Sequence, residues 1–195
     1  MSNKDKILAA ASELLLEKGL DALSVRAISQ RAGLSTIAIY SHFQGKQGVL
    51  DELYAEGFAL VRNAVLSVSS MDDPVEAALA SGKNYLDIAL HNEGHYRLIF
   101  GETGGGYTPS DEAAAAAREA FEALVMSVTR LLPDESSRAL RQRAALRLWA
   151  ILHGYVSLRH HVIGTVLDYR QWQDMTLEAF RLAVEQINRS EHHEL

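Results

Sequence analysis

Apolar residues recur every three or four positions along most of the chain and show no strand-like alternation, so the sequence reads as all-helical. Ile7, Leu8, Ala11, Leu14 and Leu15 form a first stripe over residues 4–18, which Gly19 ends. Val25, Ile28 and Ala32 make a second, shorter stripe behind Ser24, a good N-cap because its hydroxyl can accept from an unpaired helical N–H. Gly33 suits the left-handed residue that closes this helix, Leu34 is an apolar plug, and Ser35 caps a third helix carrying Thr36 to Tyr40. A fourth starts near Gly45-Lys46 and continues to about Val68, burying Leu50, Leu53, Tyr54, Phe58, Val61 and Val65. Ser69 to Pro74 is the first clear break.

Beyond it, Pro74 opens a helix through Ala78, Leu79, Tyr85, Leu86 and Leu90, and a shorter one holds Tyr96, Leu98, Ile99 and Phe100. Gly101 to Pro109 has too much glycine to be helical; no strand precedes it and no Gly-Lys-Ser/Thr follows, so it reads as a connector rather than a phosphate cradle. Ser110 and Asp111 cap a helix with five alanines from Ala113, whose buried face continues through Phe121, Leu124, Val125 and Val128 to Leu132. After Pro133-Asp134 come two long helices, about Ser136 to Ile163 and about Tyr169 to Arg189. The first carries two stripes: Ala144, Leu148, Ile151, Tyr155, Leu158 and Val162, and Leu146, Trp149, His153, Val156, His160 and Ile163. Two apolar faces need two partners, the chain's own core and something else. The last helix, with Trp172, Thr176, Phe180, Ala183 and Ile187 on one side, could join it and a symmetry mate in an intermolecular four-helix bundle.

The pair of short helices with a tight turn, 24–46, is a helix-turn-helix pattern, which usually sets its second helix in the DNA major groove. Ser24-Val25-Arg26-Ala27-Ile28, Arg31-Ala32-Gly33-Leu34-Ser35, Ile39-Tyr40-Ser41-His42-Phe43 and Lys46 ahead of Val49-Leu50 resemble the DNA-binding head of the tetracycline-repressor-like (TetR) family of transcriptional regulators. One departure is Gln47-Gly48, where that family more often has an acidic residue and a helix former; it predicts a weak first turn of helix 4. The resemblance implies homodimers built through the two final helices. The run from Trp149 to Gly154, with His153, also resembles a tryptophan–histidine–glycine signature of one subgroup's regulatory domain. The expected division is a DNA-binding head at 1–46 and an effector-binding, dimerising body at 47–195.

On the head, Thr36 offers both a hydroxyl and a methyl to base edges, with Ser35 and Ile37 next to it. Tyr40, Ser41 and His42 lie later and should reach the backbone; Lys46 at a helix start suits a phosphate, and Ser24 and Arg26 the flanking strand. Phe43 is expected in the core. No G-reading arginine stands on the second helix, so specificity is expected from few base contacts plus DNA shape. In the body, Tyr85, Tyr96, Phe100, Phe121, Val125, Trp149, His153 and Trp172 are candidates to line a cavity for a small apolar or aromatic effector, although such residues also fill any helical core.

Composition narrows the classes. With 48% hydrophobic residues in 195 there is enough apolar material for a real core, and the absence of cysteine excludes disulfides, thiolate metal sites and Cys nucleophiles. The net charge of −6 argues at first against nucleic acid, but the first fifty residues hold six basic and four acidic side chains, the remainder thirteen and twenty-one. A mildly basic head on an acidic body lets the head approach phosphates. No signal peptide shows at Met1 to Lys6 and no apolar run is long enough to span a membrane, so the cytoplasm is the expected compartment. His91 and His95 stand four apart around Glu93, and His153, His160 and His161 add nitrogens, but Asn92 and Gly94 interrupt the spacing; no metal, cofactor or catalytic set is assigned. Two rivals remain: a metal-dependent enzyme using these histidines, and a DNA-organising protein without an effector.

Overall fold

The computed structural model describes residues 1–101, 106–161 and 166–190, among which are nine α-helices and no strand. Glu102 to Gly105 of the glycine run, Val162 and Ile163 of the two stripes, and His192-His193 lie outside the described residues. The chain divides into two compact units, Met1–Leu60 with His91–Arg118, and Val61–Leu90 with Glu119–Leu195.

The first unit begins with α1 (Asn3–Lys18), whose start is fixed by a reciprocal cap: Ser2 Oγ accepts from Asp5 N–H and the Asp5 carboxylate accepts from Ser2 N–H. A single 3-10 turn, Leu20–Ala22, leads to α2 (Val25–Ala32) and α3 (Thr36–Phe43). Ser24 Oγ accepts from Ala27 N–H at 3.1 Å and Ser35 Oγ from Ala38 N–H at 3.3 Å, so both serines cap as their positions promised. Gly33 ends α2 at φ 66°. Ile7, Leu14, Leu15, Leu23, Ile28, Ile39, Phe43, Val49 and Leu53 make the core of this unit, joined by Leu98 from α6 (Glu93–Ile99). On its surface Arg31 forks onto Glu17 at 2.9 and 2.6 Å and reaches Glu13 at 3.1 Å, tying α2 to α1. Helix α4 (Lys46–Leu66) starts at Lys46 despite Gly48. The glycine is a packing requirement, because a Cβ there would lie 1.7 Å from the carbonyl oxygen of Phe43.

The second unit holds the end of α4, α5 (Pro74–His91) as far as Leu90, α7 (Asp111–Thr129) from Glu119, α8 (Arg138–His161) and α9 (Tyr169–Ser190). Asp73 Oδ1 caps α5 by accepting from Val75 and Glu76 N–H, with Pro74 in the first turn. The α4–α5 turn is held by Arg130, whose guanidinium donates to the carbonyls of Ser69 (3.3 Å), Met71 (2.6 Å) and Asp72 (3.0 Å). Helix α5 meets α9 at Gly82, where a Cβ would come within 2.5 Å of the Phe180 ring. The inward face of α8 is Ala144, Ala145, Leu148, Leu152 and Val156. This differs from both stripes read in the sequence: Leu152 belonged to neither, and Leu146 and Leu158, one from each, are about half exposed. Apolar residues occur nearly all round this helix, so periodicity alone does not select which side turns inward.

Candidate functional site

Helix α3 is anchored by Ile39 and Phe43, both buried, which turns the opposite side outward. Thr36 and Ile37 and, one turn later, Tyr40 and Ser41 occupy that outward side; Ile37 is 76% and Tyr40 59% exposed. Uncovered side chains of this size on a short helix are the feature a groove reader needs. The Thr36 hydroxyl makes no hydrogen bond among the described residues. Ser24 and Ser35 use a lone pair in capping and keep the proton to donate, whereas Ser41 already donates to the Ala38 carbonyl at 3.0 Å and must release it to donate to a phosphate. His42 and Arg26 are exposed, and Lys46, half-buried, donates to the Leu20 carbonyl at 3.2 Å with two further N–H groups in hand. The Arg31 charge is matched by Glu13 and Glu17, and that of Lys4 by Glu52 at 2.7 Å.

The first turns of α4 are moored by residues that sequence reasoning passed over. Asp51 Oδ1 accepts from the Tyr107 hydroxyl (2.7 Å), Gln47 Nε2 (3.1 Å) and Ser110 N–H (3.2 Å), and Gln47 also donates to the Thr108 carbonyl at 3.0 Å. Tyr107 packs on the Tyr54 ring at 5.9 Å, and burial, then the Asp51 bond, pushes its phenol well above the usual tyrosine range. The departure at Gln47 was the one available signal.

The candidate effector residues fall in both units. Tyr96 and Phe100 belong to the first, where their rings lie 4.7 Å apart and Phe58 stands 6.1 Å from Phe100. In the second unit Tyr85 and Trp149 meet, Trp149 Nε1 donating to the Tyr85 hydroxyl at 3.2 Å, and Phe121 stacks on Trp149 at 6.1 Å. Tyr85 and Trp149 line a 30 Å³ hollow, with Leu124, Leu148, Leu152 and Phe180 around it. A second hollow of 130 Å³ lies between α4, α5 and α7. Val125 is buried in α7 and His153 half-buried in α8. Trp172 has a structural task, its Nε1 donating to the Tyr155 carbonyl at 3.1 Å under the Arg159 guanidinium.

Residues 7–53 match the family described as bacterial regulatory proteins, tetR family, and residues 78–185 match the tetracyclin repressor-like C-terminal domain. The chain belongs to the TetR family. It is a transcriptional regulator of the TetR type. The first match covers α1 to α3 and the opening turns of α4, the second runs from α5 into α9. Among relatives, the HTH-type transcriptional activator FasR of Mycolicibacterium smegmatis is 28% identical over 137 residues, 68% of this chain but 60% of that protein's length. The class A tetracycline repressor of transposon 1721 from Escherichia coli is 40% identical over 67 residues, 34% of this chain and 30% of the repressor. A solved Rhodococcus sp. RHA1 protein of unknown function shares the fold at a TM-score of 0.74 and 22% identity, covering 98% of this chain and 96% of that one. No helix among the described residues is long and apolar enough to cross a membrane.

Proposed function

We propose that this TetR-type regulator is a homodimeric repressor that binds a near-palindromic operator through residues 1–46 and is released by a small apolar or aromatic effector held in the body, 47–195. The observation that carries the DNA reading is the outward side of α3, with Thr36, Ile37 and Tyr40 uncovered while Ile39 and Phe43 anchor the helix. Ser24, Arg26, Ser35, Ser41, His42 and Lys46 flank it and supply backbone contacts. Of the effector set, Tyr85 and Trp149 have the best support because they line a hollow, and Phe121 stacks on Trp149. The Trp149, His153 and Gly154 run supports a place near the tryptophan–histidine–glycine subgroup. A dimer through α8 and α9 is supported by Leu146, Ala150, Gly154 and Leu158, one row at four-residue spacing that the single chain leaves largely uncovered. The protein would act in the cytoplasm, and the effector must bind the DNA-competent and released states with different affinity to shift anything.

The test is selection of bound sequences from randomised duplexes, followed by a salt titration on the winner. A two-fold-symmetric consensus is expected. Thr36→Ala should change the preferred bases; Lys46→Ala should weaken all sequences and lower the salt slope by roughly one. Binding of long DNA without preference would instead favour a DNA-organising role.

A further inference from the structure

We infer that the body cavity takes a neutral molecule of about one ring in size carrying a single hydrogen-bonding group, and that the Ser81 hydroxyl receives this group. The inference deepens the effector reading and rests on it for the ligand's regulatory meaning.

Ser81 sits in the middle of α5 and is only 8% exposed, yet it lines both the 130 Å³ hollow and the 30 Å³ hollow, as does Val65. Its hydroxyl makes no hydrogen bond among the described residues. Its neighbours behave differently. Ser127 donates to the Leu124 carbonyl at 2.9 Å and Ser69 to the Leu66 carbonyl at 2.7 Å, the usual back-bond of a helical hydroxyl. The hydroxyl of this nearly buried residue borders the hollows with its hydrogen-bonding capacity unused by the protein, which leaves it free to pair with whatever enters. Ser81 is held there firmly, because the next residue, Gly82, is pressed against Phe180.

Volume and charge define the occupant. An apolar cavity of about 150 Å³ is enough for benzene, and the larger hollow offers 130 Å³ walled by Ala77, Ala78 and Ala123 and open to the surface beside Met126, which is 66% exposed. The smaller hollow admits little more than a hydroxyl or methyl tip. No carboxylate lines either space, and the one charged side chain lining them, Arg130, has its fork committed to three carbonyls of the α4–α5 turn. Nothing there would repay the desolvation of an ion, so the ligand is uncharged.

Phenol and benzene, the same ring with and without a hydroxyl, are the probes, titrated calorimetrically into the full chain. Phenol is expected to bind once per chain. Ser81→Ala should weaken phenol about five- to tenfold and leave benzene unchanged within about twofold. Ala123→Leu, which fills the space, should abolish both. Ser81→Ala removes an unpaired hydroxyl, so it should melt no lower than the parent. Failure of phenol to bind, or equal losses for both probes in Ser81→Ala, overturns the inference. DNA release is read in the same samples to separate the two claims. Ser81-dependent phenol binding that leaves the duplex bound upholds the site and removes its regulatory meaning. Release by some other effector at unchanged affinity in Ser81→Ala overturns the site and leaves the effector reading standing.

Discussion

Gly48 shows how much one missing side chain can matter. In the sequence it stands where a helix former is usual and reads as a weakness; in the fold it lets the second residue past the start of α4 lie directly against the last carbonyl of α3. That carbonyl is backbone and cannot swing aside. Gly48→Ala is therefore expected to cost roughly 2–3 kcal/mol, despite alanine's better helix propensity. Urea unfolding would show it as a lower midpoint at unchanged slope; an unchanged or higher midpoint would mean that the corner relaxes freely. The same contrast runs through the proposed DNA contacts. That Ser24 and Ser35 cap their helices was legible, because capping depends on neighbours in sequence. That Lys46 donates to Leu20, twenty-six residues away, was not.

At the scale of elements, helix starts and stops followed from local chemistry. Gly19, Gly33, Pro74 and Ser110 mark ends or beginnings within a residue or two of where the structure has them. The inward face of α8 did not follow, since its apolar residues leave several faces open and only the packing of α5 and α9 chooses among them. The junction of α1 and α2 yields a pH prediction. The hydrogen bond from Arg31 holds the Glu17 carboxyl below its ordinary value of 4.5. A lowered folded value means that the contribution is present above the ordinary carboxylate range and is lost as the pH falls through the lowered one. Arg31→Ala should thus melt slightly lower than the parent at neutral pH and low salt, and the two curves should converge as the pH falls through the lowered Glu17 value. Melting curves that differ equally at acidic and neutral pH would assign Arg31 a packing role instead.

For the whole molecule, the row Leu146, Ala150, Gly154 and Leu158 bears on assembly. A Cβ added at Gly154 would meet nothing within 4 Å in the single chain, so the fold of one copy gives no reason for glycine there. Close approach by a second copy gives one. Gly154→Leu with Leu158→Asp should shift the protein to monomers in sedimentation, at unchanged helical content, and operator affinity should drop by at least tenfold because two half-sites are no longer read together. Sedimentation identical to the parent would remove this row from the interface.

The mooring at Asp51 has a consequence for genetics. One carboxylate oxygen gathers donors from its own helix and from a stretch fifty-six residues further on. A screen for lost regulation would return substitutions at Asp51 and Tyr107 beside those on α3. Plotted on the linear sequence, the hits at 107 would look like a second DNA-reading segment. They would instead mark the anchorage that keeps the reader's neighbour in place, and a footprint on the operator would keep its outline while fading in depth.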